Sequence, residues 1–136
     1  MARIVLTDAS ITINSVDLSD HIASVTINSS YDAVETTAFS TSGARERVAG
    51  LVDNSISLEF HQDFASGEVE ATIYPLLGTT TSVVVKPTSG AVSTTNPSYT
   101  MTALVSEWTP LAGAVGELAS ASVSWPISGA ITKATA

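Results

Sequence analysis

Cysteine is absent from the 136-residue sequence, which excludes disulfides, thiolate metal sites and thiol nucleophiles. Basic residues are scarce: five Lys and Arg stand against thirteen Asp and Glu, a formal net charge of -8. An electrostatic grip on nucleic acid needs a basic footprint, and the chain offers none. No apolar run approaches the ~20 residues of a membrane span. Asp8 follows Ile4-Val5-Leu6 before a signal-peptide core could form. Charged residues amount to 13% and aromatic residues to 6%, the former about half the usual share. The expectation is an acidic, soluble, non-secreted chain with a single domain over residues 1–136.

Short hydroxyls fill the polar positions instead. Twenty Ser and eighteen Thr accompany a hydrophobic share of 44% and a mean hydropathy of +0.31, which argues against disorder. Thr is β-branched and suits a pleated surface, so Ser/Thr alternating with Val/Ile reads as half-solvated sheet. A surface with few charges also gives up little ionic hydration when another protein covers it.

Period-two alternation organises the chain. Residues 3–7 and 10–13 read as short strands around an Asp8-Ala9 turn, and Val16 opens a further short strand and turn. Val25 and Ile27 alternate with Ser24, Thr26 and Asn28 in a long strand that reaches residue 37. Residues 38–50 lose the period and form a loop longer than a hairpin needs, a length that tends to carry function. From Asn54 to Gln62 the alternation is cleanest, with Ile56, Leu58 and Phe60 opposite Ser55, Ser57, Glu59 and His61.

One helix is predicted next, capped by Ser66, with Glu68 and Glu70 in its first turn. Val69, Ile73, Leu76 and Leu77 form its apolar stripe, Pro75 tightens or kinks its last turn, and Gly78 ends it. A strand over 79–86, a surface loop over 88–97 and long strands over 99–109 and 116–127 complete the pattern. In the last of these, Ala119, Ala121, Val123 and Trp125 oppose Leu118, Ser120, Ser122 and Ser124. Adjacent Leu104 and Val105 imply a bulge. The predicted fold class is mainly β: a β-sandwich or partly open barrel of seven or eight strands with one packed α-helix.

The residues offer little to catalysis, and no enzyme is expected. Asp17, Asp20 and His21 lie close in sequence, either as metal ligands or as a solvated turn. His61 shares a strand face with Glu59 and Asp63, as a polarised imidazole or as ordinary solvent-facing alternation. There is no Gly-x-Ser-x-Gly elbow, phosphate-cradling glycine loop or His-Glu-x-x-His. No catalytic, metal or cofactor site is assigned. Phe60, Tyr99, Trp108 and Trp125 lie on predicted strands, as core residues or as a sugar-stacking platform. Arg45-Glu46-Arg47 stands in the 38–50 loop, as a solvated tip or as a docking arm that seeks an acidic patch on a neighbouring copy.

The order of segments carries a resemblance. Val16-Asp17-Leu18-Ser19-Asp20-His21-Ile22 leads into Ala23-Ser24-Val25-Thr26-Ile27, and Asp32-Ala33-Val34-Glu35-Thr36-Thr37-Ala38-Phe39 precedes the loop with Arg45 and Arg47. Asp53-Asn54-Ser55-Ile56-Ser57-Leu58-Glu59-Phe60, Glu70-Ala71-Thr72-Ile73-Tyr74-Pro75-Leu76-Leu77-Gly78 and Glu107-Trp108-Thr109-Pro110 follow. Taken together, and along almost the whole chain, these resemble tail tube (major tail) proteins of long non-contractile-tailed bacteriophages (siphophages), particularly those of actinobacterial hosts. The extra C-terminal immunoglobulin-like domain of some members is not expected here.

The resemblance implies a structural virion protein whose hexameric rings stack into a tail tube, the conduit for DNA ejection. It implies a β-sandwich with a packed helix, four strands per subunit in a shared inner barrel, and a long loop that reaches a neighbouring ring. The implied partners are further copies of the chain, a tape measure protein, and terminator or distal tail proteins. It further implies that genome DNA passes without specific binding, that no membrane is involved, and that assembly takes place in the host cytoplasm. Carried onto this sequence, the barrel strands are 23–37, 54–62, 99–109 and 116–127. The inter-ring loop is 38–50, with Phe39, Arg45, Glu46 and Arg47. Ser24, Thr26, Asn28, Ser55, Ser57, Glu59, His61, Ser120, Ser122 and Ser124 are expected to face the lumen. A small, hydroxylated, acidic face suits an aqueous bore through which DNA must slide. The alternatives are a tail terminator or connector ring protein and a carbohydrate-binding β-sandwich.

Overall fold

Alternating Val/Ile and Ser/Thr resolve into two packed antiparallel sheets in the computed structural model, which describes residues 3–39 and 43–136. The first sheet holds β1 (Ser10–Ile13), β2 (Val16–Asp17), β5 (Thr80–Lys86), β6 (Ser98–Leu104) and β8 (Thr132–Ala134), in the order β2-β1-β5-β6-β8. The second holds β3 (Ile22–Glu35), β4 (Arg47–His61) and β7 (Ser120–Pro126), in the order β3-β4-β7. With one short helix, α1 (Val69–Ile73), the architecture is mainly β, and neither sheet closes into a barrel.

Alternation puts every second residue of the inner faces into one core. Ile56, Leu58 and Phe60 of β4 and Ala121, Val123 and Trp125 of β7 meet Ile11, Ile13, Val83, Val85 and Met101 of the first sheet. Phe60 and Trp125 have no exposed surface, and their rings lie 6.4 Å apart. Along one margin the sheets are stitched together. The Ile127 N–H donates to Asn54 O at 2.9 Å and the Ser128 N–H to Thr102 O at 2.8 Å as the chain leaves β7. α1 buries Val69 and Ile73 against this core. Pro75 turns the following residues, Tyr74–Leu76, into a 3-10 turn, and Gly78 at φ +84° ends the element.

Several boundaries differ from the sequence expectation, each for a local reason. Residues 3–8 form no strand. The chain turns back at Asn14 and Ser15 instead, both at positive φ, the backbone that a two-residue hairpin between β1 and β2 requires. Glu68 rather than Ser66 sits at the start of α1, without a side-chain cap, and Leu77 is exposed instead of joining the stripe. β6 ends at Leu104 and β7 begins at Ser120, so the strands expected over 99–109 and 116–127 are shorter. No bulge separates Leu104 from Val105: burial alternates unbroken through Met101, Ala103 and Val105, with Leu104 turned out.

The bulges lie on β3 and β4. Ile22 opposes Phe60 and Ser24 opposes Glu59, which leaves Ala23 as an extra residue. That insertion lets Ile22 and Val25 face one core despite their odd spacing. Farther along, Tyr31 opposes Val52 while Ala33 opposes Ala49, so the extra residue falls on β4 beside Gly50. A Cβ at position 50 would stand 2.8 Å from Val34 Cγ2 and 3.1 Å from Asp32 Cβ, and glycine is the residue that fits.

The 38–50 loop is also redrawn. Residues 47–50 belong to β4, and residues 40–42 lie outside the described residues. What remains is the tip of one long β3–β4 hairpin, closed by Glu35 opposite Arg47 and by the Thr36 N–H on Glu46 O at 2.9 Å. Segments 23–37, 54–62 and 116–127 supply the second sheet, whereas 99–109 supplies β6 of the first.

Candidate functional site

The face of β3-β4-β7 turned away from the core is built from short polar side chains in lateral rows. Ser24 lies beside Glu59 and Glu59 beside Ser122; Thr26, Ser57 and Ser124 form the next row. Asn28 pairs with Ser55, which pairs with Pro126, and His61 pairs with Ser120. The ten residues expected to line a lumen share this outward face, and none is buried. The Ser57 and Ser124 hydroxyls are 3.3 Å apart. Ser30 opposite Asp53 extends the pattern by a row. The residues expected from the sequence end at Asn28 and Ser55, although the same alternation continues through this pair. Glu59 and Asp53 are acidic and no Lys or Arg stands in these rows, so the face is hydroxylated and anionic.

β3 and β7 are the outer strands of this sheet, and the margin of β7 is partly covered by residues 107–112. On β7, the Ser120 N–H donates to Ala112 O at 3.0 Å and the Ser124 N–H to Glu107 Oε1 at 2.8 Å, so even-numbered residues point their amides away from β4. Pro126 falls in the same phase, where it has no ladder donor to lose. Ser122 shares that phase, and its amide has no partner among the described residues. Among the described residues, no strand pairs with the outer margin of β3 from Ile22 to Glu35. Such an edge is a template for another strand.

Past the core, the hairpin projects as an arm. Tyr31 opposes Val52 and Val34 opposes Val48, all of them exposed, and Leu51 is 81% exposed. Exposed apolar groups gathered in this way are a feature of contact surfaces. At the tip, Phe39 is fully exposed and Arg45 Nη1 lies 3.4 Å from Glu35 Oε1 in a solvated pair. The Glu46 N–H donates to Thr37 Oγ1 at 2.9 Å, and Arg47 sits in the ladder opposite Glu35.

Charge converges elsewhere, on His21. Its Nδ1 is 2.8 Å from Asp20 Oδ1 and its Nε2 is 2.9 Å from Asp63 Oδ2, with Glu68 Oε2 3.5 Å from Nδ1. The sequence grouping of Asp17 with Asp20 and His21 does not hold. Asp17 turns to Ser19, accepting from its hydroxyl and from its N–H at 3.0 Å, and these bonds hold the carboxyl below its ordinary 3.8. Nor does Asp63 serve His61. Its Oδ1 accepts the Ala65 N–H at 2.9 Å, and that bond, then His21, lowers its pKa below 3.8 against the opposing effect of burial. Burial by itself would lower the His21 pKa, but the hydrogen bonds to Asp20 and Asp63 and the charges of Asp20 and Glu68 raise it above 6.5. Donor atoms of His21, Asp63 and Glu68 lie within 4.8 Å of one another, and the two ring nitrogens face Asp20 and Asp63. Forty-two positions between His21 and Asp63 hid this cluster from any local motif.

No catalytic pair emerges among the described residues. His61 Nδ1 is buried without a hydrogen-bond partner, and neither imidazole meets a hydroxyl at hydrogen-bond distance. The aromatic residues belong to the core rather than to a platform. Trp125 is fully buried and donates its indole N–H to Glu107 O at 2.9 Å. Trp108 meets Phe60 edge-on at 5.6 Å and donates to Glu70 Oε2 at 2.8 Å.

No protein-family model matches the chain, and no curated protein matches it. Solved structures do. A chain of the virion of a native gene transfer agent particle superposes with a TM-score of 0.73 at 18% identity, over 93% of this chain and 95% of that one. A chain of the tail of an empty gene transfer agent particle, determined with C6 symmetry, gives 0.65 at 19% identity, over 82% and 81%. A chain of the six-fold symmetrised baseplate of the anti-feeding prophage gives 0.60 at 10% identity, over 98% and 97%. The chain shares the fold of these virion, tail and baseplate chains.

Proposed function

We propose that this chain is a structural tail-tube subunit that closes into hexameric rings, stacks them, and leaves a bore through which DNA passes. The observation that carries the reading is the β3-β4-β7 sheet, with one small polar face and an open edge on β3. Adding β3 of one copy to β7 of the next would continue the sheet around a ring and take the open edge of β3 out of water. The rows Ser24–Glu59–Ser122 and Thr26–Ser57–Ser124 would then line the bore, with Asn28, Ser55, His61 and Ser120 beside them. Ala103 bridges to Ile127, which gives β6 a route into the same barrel. Each copy brings a formal charge of -8, and an acidic wall repels phosphate, so DNA would slide without sticking.

The six-fold choice draws on the C6 gene transfer agent tail and the six-fold baseplate, whose chains share this fold. The β3–β4 arm, with Phe39, Arg45, Glu46 and Arg47 at its tip, would reach the adjacent ring. A tape measure protein would occupy the bore before ejection, and terminator or distal tail proteins the ends of the tube. The place of action would be the virion tail, after assembly in the host cytoplasm.

Negative-stain microscopy of the concentrated full chain tests this. Stacked tubes with a stain-filled bore are expected. Isolated rings would favour a terminator or connector ring instead, a second reading supported by the baseplate likeness over 98% of the chain. Monomers at every concentration would overturn both.

A further inference from the structure

We infer that His21 is doubly protonated in the folded chain and acts as a proton-dependent latch, holding the 62–68 segment onto the start of β3. The inference is independent of assembly. A neutral imidazole has one N–H donor and one acceptor nitrogen, while a carboxylate only accepts. Here both ring nitrogens face carboxylate oxygens, Asp20 Oδ1 at 2.8 Å and Asp63 Oδ2 at 2.9 Å. With one proton the ring would set a lone pair against one of those oxygens. With two, both contacts become charge-assisted hydrogen bonds. The geometry selects the imidazolium.

The groups around the ring come from two segments, and all are acids. Asp20 belongs to the 3-10 turn Ser19–His21 that leads into β3; Asp63 and Glu68 belong to the connection from β4 to α1. Glu70, on α1, is turned away to Trp108 Nε1 and Gln62 Nε2. No Lys or Arg forms an ion pair with any of these acids among the described residues. The imidazolium is therefore the cation that joins the two segments, and at 19% exposure it is within reach of solvent protons.

Asp63 passes the constraint on to α1. Its carboxylate accepts the Ala65 N–H at 2.9 Å and its carbonyl accepts the Glu70 N–H at 3.1 Å. When His21 loses a proton, a hydrogen bond turns repulsive and three carboxylates face one another without a counter-charge. The 62–68 segment, which carries exposed Phe64, is then released.

The latch has two limits. His21 titrates above 6.5 in the folded chain, so its contribution is complete below 6.5 and disappears as pH rises through the folded value. Asp63 titrates below 3.8, so its contribution is complete above 3.8 and disappears as pH falls through its folded value. Between these limits the latch is closed.

Nitrogen NMR of the full chain, titrated from about pH 5 to about pH 9, reads the ring directly. Both His21 nitrogens should be protonated at the acid end, with a midpoint above 6.5. Hydrogen-exchange protection of the Ala65, Glu68 and Glu70 amides, corrected for intrinsic rate, should fall about tenfold across that midpoint while Leu58 holds. Asp63→Asn should move the midpoint down toward 6.5, and His21→Gln should make protection of those amides independent of pH. A wild-type midpoint at or below 6.5, or protection that ignores it, overturns the latch. So does a wild-type midpoint that a metal chelator moves, which would make the cluster a cation site.

Discussion

The indole N–H of Trp108 donates to Glu70 Oε2 at 2.8 Å while its ring meets Phe60 edge-on at 5.6 Å. One side chain thus ties α1 to the strand whose other face is the polar surface. Trp108→Phe keeps much of the ring contact but removes a hydrogen bond to a carboxylate, and should cost about 1.5–3 kcal/mol. Glu70→Gln retains an acceptor oxygen and should cost less. Urea denaturation of both variants checks the order.

The two faces of β4 should respond to mutation very differently. Phe60 is fully buried beside Trp125, so Phe60→Ala leaves a cavity and should cost about 3–5 kcal/mol. Ser57, three residues earlier, is exposed, and Ser57→Ala should change stability by no more than about 0.5 kcal/mol. Denaturant midpoints of the two single variants measure the contrast, and a costly Ser57→Ala would mean that the outer face is not open in the monomer.

Gly50 is held by space rather than by φ. Its missing Cβ would lie 2.8 Å from Val34 Cγ2 and 3.1 Å from Asp32 Cβ, so Gly50→Val has to push the two strands of the arm apart. Because the arm lies beyond the core, the damage should stay local. Amide protection around Asp32 and Val34 should fall, while the global denaturation midpoint moves by about 1 kcal/mol or less. A global collapse would show that the arm is part of the cooperative core.

Much of this was legible in the sequence because a single rule wrote it. The strict alternation from Asn54 to Gln62 announces both the buried Ile56-Leu58-Phe60 row and the polar row opposite, and β4 obeys it. What the pattern could not carry is whatever depends on one extra residue or on distant pairing. Ala23 and Gly50 each shift phase by a single position, and a bulge leaves no mark in hydropathy beyond the odd spacing of Ile22 and Val25. Strand 99–109 alternates as well as 116–127 does, yet alternation says nothing about which sheet a strand joins. The His21 cluster escaped for the same reason: Asp63 and Glu68 reach it only because the chain turns after β4.

Acid should loosen the β1–β2 hairpin through Asp17. Its carboxylate accepts from the Ser19 hydroxyl and N–H, which holds its pKa below 3.8 in the folded chain. A lowered folded value means that the contribution is complete above 3.8 and disappears as pH falls through the folded value. Asp17→Asn should therefore flatten that part of the acid limb and leave stability at neutral pH slightly reduced. Thermal melts from neutral to acid pH, wild type against variant, check the sign.

The charge at the arm tip can be separated from its fold. Arg45 and Glu35 form an exposed pair at 3.4 Å, with side chains 72% and 50% accessible, and pairs of that kind are worth about 0–1 kcal/mol. Reversing Arg45 and Arg47 together to Glu sets like charges beside Glu35, a penalty of about 0.2–1 kcal/mol at a cross-strand position. The double variant should thus remain folded, with a denaturation midpoint close to wild type. If the positive tip seeks an acidic patch on a neighbouring ring, tube yield at matched concentration should nevertheless fall sharply, and rising salt should lower the wild-type yield toward it. Equal yields from the two proteins would take the arginines out of docking. The apolar groups of the arm, Tyr31, Val34, Val48 and Leu51, would then have to supply the contact, and Tyr31→Ser would be the substitution that lowers yield instead.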